Sequence, residues 1–309
     1  MSRLSFTFRG LITPVFTPFN SDSARTLNLS LIPQYGDYLA KKGITGVLVN
    51  GTTGEGPTMN ASERKSVAEA WTNTIKKTKQ HLMVQVGGTS LPDVLDLARH
   101  AESIKADSIL CLPELYFRPQ TFDDLRDYLK MVSSAAPNTP LLYYNFPRMS
   151  NVNLHMGQFL QFLGDEIPNF VGIKFSSPNL EEAAQALRAN NNKFVTFLGN
   201  DQLINASCAL GADSFITTGS NVVSELVLET LAEAKAGNVL KAREKQQRLT
   251  SVIVTIAKYG NWVETMKAAM TLLTNINPGT PRASSKPLSA QATASMASDL
   301  RNLGLQVKM

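Results

Sequence analysis

The sequence predicts an α/β protein, a (β/α)8 TIM barrel with a C-terminal helical extension. Short apolar runs rich in Val, Ile, Leu and Phe recur at intervals of roughly 25 to 35 residues, and each is followed by a polar segment with helical spacing. The runs are apolar along nearly their whole length. This favours parallel strands covered on both faces, because a half-exposed antiparallel strand alternates between apolar and polar residues.

The eight predicted strands span residues 10–17, 46–50, 82–86, 108–112, 141–145, 170–174, 194–198 and 214–217. The helices that follow them are expected at residues 30–42, 62–77, 91–104, 122–134, 154–163, 180–189, 202–210 and 223–236. Eight such units agree with a closed barrel, which typically needs about 250 residues. An open doubly wound sheet is the alternative. Such a sheet usually carries an early dinucleotide fingerprint, and no G-x-G-x-x-G follows the first strand here.

The remainder of the chain has a helical pattern. Helices are expected at residues 239–258, 262–274 and 289–303, the last after the Pro-rich link NPGTPRASSKP. We therefore expect two regions, a catalytic barrel over residues 1–237 and a helical extension over residues 238–309 that packs on it.

Composition limits the classes of partner and compartment. Of the 309 residues 43% are hydrophobic and 18% are charged, which is typical of a soluble enzyme, and the net charge of +5 is scattered rather than clustered, which disfavours nucleic acid. No uninterrupted apolar stretch approaches the length of a membrane span. Two distant cysteines, Cys111 and Cys208, predict reduced thiols and a cytoplasmic protein. The three histidines are isolated, so no metal site is expected.

Polar residues close several of the predicted strands. In a barrel of this class the active site forms at the C-terminal ends of the strands. Candidate residues therefore lie in the loop GTTGEG after strand 2, in YYNFP after strand 5, in GIKFSS after strand 6, in GND after strand 7 and in TTGSN after strand 8.

Lys174 and Tyr144 suggest a specific chemistry. Burial at a strand end disfavours the ammonium form of Lys174, and a neutral amine attacks carbonyl carbon to give a Schiff base. The alternative is a lysine that is ion-paired or that extends to solvent. Tyr144, one strand earlier and at the same layer, would place a phenolic hydroxyl beside the amine as a proton shuttle.

Taken together, GTTGEG, YYNFP and GIKFSS resemble the N-acetylneuraminate lyase and dihydrodipicolinate synthase family, and the similarity extends over nearly the whole chain, including KAAMTLLTNINPGTPR. VNGTTGEG, ASERKSVAEAW and GIKFS are most similar to the animal-type lyases of that family. The resemblance implies cleavage of N-acetylneuraminate to pyruvate and N-acetylmannosamine without metal or organic cofactor. It also implies a homotetramer.

Residue by residue, the resemblance implies that Lys174 forms the Schiff base and that Tyr144 donates and accepts the proton. Thr52 and Thr53 would bind the carboxylate of the 2-oxo acid and complete the proton relay with Tyr144. The positions that match contacts to the sugar portion are Ser176, Gly199, Asp201, Gln202 and Thr218. Tyr116 matches a tyrosine that reaches a neighbouring subunit's site in some relatives.

Three departures from the lyase pattern leave the substrate open. Gln202 stands where the lyases have a glutamate, Arg148 follows Tyr144 where the lyases have uncharged residues, and strand 8 ends in TTGSN rather than GSTYN. Arg148 would favour an acidic aldehyde. The alternatives are therefore an aldolase, synthase or dehydratase for another 2-oxo-3-deoxy acid, or a catalytically silent protein that binds a 2-oxo acid.

The glycine-rich loop itself does not fit a nucleotide. GTTGEGPT lacks the Gly-Lys-Ser/Thr ending of a P-loop, and its glycine spacing is wrong for a dinucleotide fingerprint. Asn60 and Glu63, three residues apart, predict a capping box at the start of the next helix.

Overall fold

The computed structural model describes residues 3–282 and 285–308. Eight parallel strands close into a barrel in which each strand pairs with its neighbours in sequence and the last pairs with the first. The strands are β1 (Leu11–Pro14), β2 (Gly46–Val49), β3 (His81–Gln85), β4 (Ser108–Cys111), β5 (Leu141–Asn145), β6 (Phe170–Phe175), β7 (Val195–Leu198) and β8 (Ser214–Ile216). The predicted (β/α)8 barrel is confirmed.

Helices surround the barrel and continue beyond it. They are α1 (Ile32–Lys41), α2 (Ala61–Thr78), α3 (Leu91–Ser103), α4 (Phe122–Ala135), α5 (Pro147–Ser150), α6 (Met156–Leu163), α7 (Leu180–Asn192), α8 (Ile204–Ala209), α9 (Ser224–Lys235), α10 (Val239–Ala257), α11 (Trp262–Leu273) and α12 (Ala290–Asn302). Helix α10 packs along α9, and α11 and α12 pack against α10. The predicted C-terminal helices are therefore present and lie on the barrel.

Two apolar layers hold the barrel. Alternate strand residues such as Ile12, Leu48 and Phe197 fill its interior, while their neighbours pack outward against the helices. This arrangement explains why the strands are apolar along their whole length, since both faces of a barrel strand are covered. Phe6 and Phe8, from the segment before β1, pack against the interior layer.

Local sequence sets where several helices begin. The Asn60 side chain accepts a hydrogen bond from the Glu63 amide, and the Glu63 side chain accepts one from the Asn60 amide, so the predicted capping box is confirmed. Thr121 and Asp124 form a second capping box, at α4. Helix α7 loses helical geometry at residues 189–191, where Asn190 and Asn191 take positive φ angles.

The observed elements differ from the predicted ones mainly at the ends of strands. The first strand stops at Pro14, not at residue 17, and strand 8 stops at Ile216. After β7 and β8 the chain turns through short 3-10 helices, Asp201–Leu203 and Thr218–Asn221. These turns carry three of the candidate site residues, Asp201, Gln202 and Thr218. The two 3-10 turns could not be predicted from helical periodicity, because a single turn is too short to show a repeat.

Within the described ranges, 3–282 and 285–308, no helix combines the length and apolarity that crossing a membrane requires. Cys111 and Cys208 are both free thiols; the first is buried and the second is half-buried.

Candidate active site

Lys174 and Tyr144 lie side by side at the C-terminal ends of β6 and β5. The two residues are directly paired in the register of these strands. Ile173 and Phe175 belong to the outer layer, so by the alternation of a strand Lys174 points into the barrel, as Tyr144 does. Lys174 is 4% exposed and Tyr144 is 2% exposed.

The amine of Lys174 lies over the tyrosine ring. Its Nζ is 4.1 Å from the centroid of the Tyr144 ring. In the part of the chain that the structure describes, Lys174 has no carboxylate oxygen within the 4.0 Å limit of an ion pair. The ion-paired alternative considered from the sequence therefore has no support among these residues, and the amine faces a hydroxyl-bearing ring instead.

The loop after β2 brings both predicted threonines to this centre. The Thr52 hydroxyl oxygen is 3.3 Å from the hydroxyl oxygen of Tyr144. Thr53, 4% exposed, bonds through its hydroxyl at 2.9 Å to the hydroxyl of Thr218, beyond β8. The loop thus connects the strand 5 and 6 side of the barrel mouth to the strand 8 side.

The conformation of this loop requires unusual backbone geometry. Asn50 and Glu55 have φ angles of 59° and 55°, in the left-handed region that non-glycine residues rarely adopt. At Gly56 a Cβ atom would lie 2.0 Å from the carbonyl oxygen of Asn50, so only glycine fits. These restrictions limit the backbone conformation of the loop and so help to orient the side chains of Thr52 and Thr53.

Asp201 is the buried carboxylate of the site. It is 5% exposed, and its Oδ1 accepts a hydrogen bond of 3.0 Å from the Gly219 amide. Burial raises the pKa of Asp201 to about 6, and the hydrogen bond from the Gly219 amide only partly opposes that rise. Asp201 therefore titrates near pH 6.

The other predicted sugar contacts, Ser176, Gly199 and Gln202, differ in their surroundings. Ser176 and Gly199 follow β6 and β7 directly and continue the strand ladder, through bonds from the Ser176 amide to Asn145 and from the Gly199 amide to Phe175. A Cβ atom at position 199 would lie 2.2 Å from the Ser176 hydroxyl, so the absence of a side chain there lets the two loops approach. Gln202 is exposed.

Two further predicted residues lie apart from this centre. Arg148 is exposed on the short helix α5, just beyond β5. Tyr116, in the loop after β4, is 86% exposed and packs edge-on against Phe117, which is 79% exposed. Neither side chain bonds to Lys174, Tyr144 or Asp201 in the described part of the chain.

Trp262 contacts a candidate site residue, and the sequence did not identify it. It begins α11, in the C-terminal helices, and its indole N–H donates to the Thr218 hydroxyl at 3.4 Å. Periodicity shows that this segment is helical but not which strand end it approaches. The stretch KAAMTLLTNINPGTPR, over which the family resemblance continues beyond the barrel, begins only at Lys267 and so gives no direct signal for Trp262.

Among the described residues, no group of three or more His, Cys, Asp or Glu is arranged to hold a metal ion.

Comparison with known proteins agrees with this geometry. The sequence profile of the Dihydrodipicolinate synthetase family matches residues 7–303. N-acetylneuraminate lyase from Homo sapiens is 33% identical over 297 residues, which cover 96% of this chain and 92% of the human protein.

Among solved structures, Proteus mirabilis N-acetylneuraminate lyase superposes with a TM-score of 0.90 at 32% identity, covering 96% of this chain and 99% of that one. The sialic acid aldolase from Aliivibrio salmonicida also gives a TM-score of 0.90, at 31% identity, and covers 99% of this chain and 98% of its own. The chain belongs to the dihydrodipicolinate synthetase family and is an enzyme of the lyase class.

Proposed function

We propose that the protein is a Schiff-base-forming aldolase that cleaves N-acetylneuraminate to pyruvate and N-acetylmannosamine. One observation carries the proposal: the Lys174 amine lies 4.1 Å from the Tyr144 ring centroid, and the Tyr144 hydroxyl lies 3.3 Å from that of Thr52. This arrangement supports the roles of Lys174 as the amine nucleophile, of Tyr144 as the proton shuttle and of Thr52 as a hydrogen-bond donor to the substrate carboxylate. The names of the relatives support the choice of substrate.

In this mechanism Lys174 acts as the nucleophile. Its neutral amine attacks the C2 carbonyl carbon of the open-chain 2-oxo acid, and the carbinolamine loses water to form an iminium ion. The positively charged iminium nitrogen then serves as an electron sink. Burial of Lys174 favours this role, since the surroundings exclude competing water.

Tyr144 moves the proton that permits bond cleavage. When the C4 hydroxyl loses its proton through Tyr144, the C3–C4 bond breaks, C4 becomes the aldehyde carbon and the electron pair passes to the iminium, which becomes an enamine. Protonation of the enamine at C3 restores an iminium. Its hydrolysis releases pyruvate and the free amine, and no metal or organic cofactor takes part.

Thr52 and Thr53 hold the C1 carboxylate. Their hydroxyls lie on the tightly constrained loop after β2, where hydroxyl and amide donors suit an anion. Fixing the carboxylate orients C2 towards the Lys174 amine, and such positioning contributes to the rate without entering the chemistry.

The other half of the substrate would extend over Ser176, Gly199, Asp201 and Thr218, with Gln202 at its outer end. Asp201 supplies the carboxylate that accepts hydrogen bonds from sugar hydroxyls. Gln202 both donates and accepts, but without a charge it makes a weaker contact than a glutamate would. Recognition of the sugar would therefore rest mainly on Asp201.

Trapping and substrate comparison test the proposal together. Pyruvate plus borohydride should inactivate the enzyme and add one reduced pyruvate to each chain, as measured by mass spectrometry of the intact protein. N-acetylneuraminate should be cleaved faster than other 2-oxo-3-deoxy acids. Absence of any adduct would favour the catalytically silent binder.

A different 2-oxo-3-deoxy acid is the second candidate. Arg148 provides an exposed guanidinium beyond β5, and Gln202 lacks the charge of the lyase glutamate. Preference for a substrate that yields an acidic aldehyde, abolished by Arg148→Ala, would replace N-acetylneuraminate as the substrate while leaving the Schiff-base chemistry in place.

We also propose that the chain assembles as a homotetramer in the cytoplasm. The family resemblance supports the tetramer, and so does the exposed aromatic pair Tyr116 and Phe117, because large apolar side chains that project together are typical of interfaces.

A further inference from the structure

A buried ion pair lies behind the loop that carries Thr52 and Thr53. The Lys267 Nζ is 2.6 Å from the Glu55 Oε1, and the two side chains are 1% and 5% exposed. Glu55 belongs to the loop itself, whereas Lys267 lies in α11. The pair therefore joins the C-terminal helices to the barrel at one of the site's own segments.

Lys267 also fixes the strand 1 side of the loop. Its ammonium donates a hydrogen bond of 2.9 Å to the carbonyl oxygen of Thr17. The Thr17 hydroxyl in turn donates to the carbonyl oxygen of Gly54, at 2.6 Å. The Lys267 ammonium thus contacts Glu55 directly and is linked to Gly54 through Thr17.

Arg282 completes this cluster. Its backbone amide donates to the Glu55 Oε2 at 2.7 Å, and its guanidinium binds both oxygens of Glu63, at 2.8 and 2.7 Å. Both cations contact the Phe19 ring, whose centroid is 4.5 Å from the Lys267 Nζ and 4.6 Å from the Arg282 Cζ. Each Glu55 oxygen therefore has a partner, Oε1 the Lys267 ammonium and Oε2 the Arg282 amide, and these contacts restrain the side chain.

The Glu55 backbone shows why such restraint matters. Its φ of 55° is unfavourable for a residue with a side chain, and a conformation of this kind persists only where its surroundings hold it. The Glu55 amide donates to the carbonyl oxygen of Thr52, at 3.0 Å. One hydrogen bond thus links Glu55 directly to Thr52, a residue of the proposed carboxylate site.

We propose that Glu55 and Lys267 are positioning residues for the reaction: their ion pair holds the loop in the conformation in which Thr52 and Thr53 bind the substrate carboxylate. The inference rests on the proposed function of that loop. Through Lys267, the C-terminal helix α11 would then help to position the active-site loop in addition to packing on the barrel.

The test compares Glu55→Gln, Lys267→Met and the double variant with the wild type. Trapping with borohydride is measured over a range of pyruvate concentrations. Each single variant should raise the half-saturating pyruvate concentration about tenfold or more, while the maximal extent of trapping stays near that of the wild type, because Lys174 itself is untouched. The double variant should recover part of this loss, since neither buried charge is then left without its partner.

Leu129→Ala is the matched control, because Leu129 is fully buried in α4 and its truncation lowers stability without touching the ion pair. Melting temperatures are recorded for every variant. If Leu129→Ala raises the half-saturating pyruvate concentration as much as Glu55→Gln does, or if folded Glu55→Gln binds pyruvate within about twofold of the wild type, the inference is wrong.

Glu55→Gln nearly preserves the shape of the side chain, so it carries the test should Lys267→Met not fold. A wild type that forms no adduct would contradict the proposed function instead. A wild type that traps pyruvate, with variants that trap it equally well, would contradict only the positioning role.

Discussion

Asp201 is a buried titratable residue of the proposed site. Because burial raises its pKa to about 6, the carboxylate is largely neutral below that pH and ionised above it. An ionised carboxylate accepts stronger hydrogen bonds from sugar hydroxyls than a neutral one does. We expect the KM for N-acetylneuraminate to fall as the pH rises through about 6, measured by steady-state kinetics, and to lose this dependence in Asp201→Asn.

The same shift has a consequence for stability. Between the ordinary pKa of 3.8 and about 6, folded Asp201 keeps a proton that the unfolded chain has lost. The free energy of unfolding therefore includes a favourable term from protonated Asp201 at low pH. This term, about 3 kcal/mol, is lost as the pH rises from 3.8 to about 6. The free energy of unfolding of the wild type relative to Asp201→Asn should fall across this window. A flat difference would contradict the assigned burial.

Tyr144 should matter for chemistry more than for binding. Tyr144→Phe keeps the ring beside Lys174 but removes the hydroxyl that lies 3.3 Å from Thr52. We expect kcat to fall by about 10²- to 10⁴-fold, since loss of a general acid–base group typically costs that much. Trapping of pyruvate by borohydride should remain. A variant with wild-type kcat would exclude Tyr144 as the proton shuttle.

At the scale of elements, the order of the strands was sufficient to predict that the main candidate residues lie close together. Lys174 and Tyr144 follow consecutive apolar runs, and in a parallel barrel consecutive strands are neighbours, so their proximity could be predicted. The positions of Asp201 and Thr218 on 3-10 turns could not, because a single turn leaves no periodic trace in sequence.

The capping box of α2 is a local device whose contribution can be measured. Asn60→Ala removes the side chain that accepts from the Glu63 amide, and the loss of such a cap typically costs about 1 kcal/mol. Ser90→Ala, at the N-cap of α3, is the control, because the Ser90 side chain makes no capping bond to the helix backbone. Urea unfolding should show the larger loss for Asn60→Ala. Equal losses would exclude a special role for the box.

At the scale of the whole molecule, the barrel was predictable and the placement of the C-terminal helices was not. The pattern after residue 238 indicates helices, but Trp262 meets Thr218 across 44 residues of sequence, and Lys267 meets Thr17 across 250. Such contacts depend on how α10 returns along the barrel, which no local pattern specifies. The residues missed by sequence reasoning are those that long-range packing brings to the site.

The proposed tetramer is also a property of the whole molecule. Light scattering should give four times the 33.7 kDa of one chain. Phe117→Glu should lower the mass, because it would place a charge in the aromatic pair with Tyr116, whereas Val254→Glu, at an apolar residue that is 50% exposed on α10, serves as a control at a different surface. An unchanged mass in Phe117→Glu would remove this loop from the interface.

The central claim is that Lys174 bonds covalently to a 2-oxo acid. Its most direct test is peptide mapping by mass spectrometry after treatment with pyruvate and borohydride, in the wild type and in Lys174→Arg. We predict a reduced pyruvyl group on Lys174 in the wild type and no adduct in Lys174→Arg. An adduct on another lysine, or one that persists in Lys174→Arg, would contradict the account.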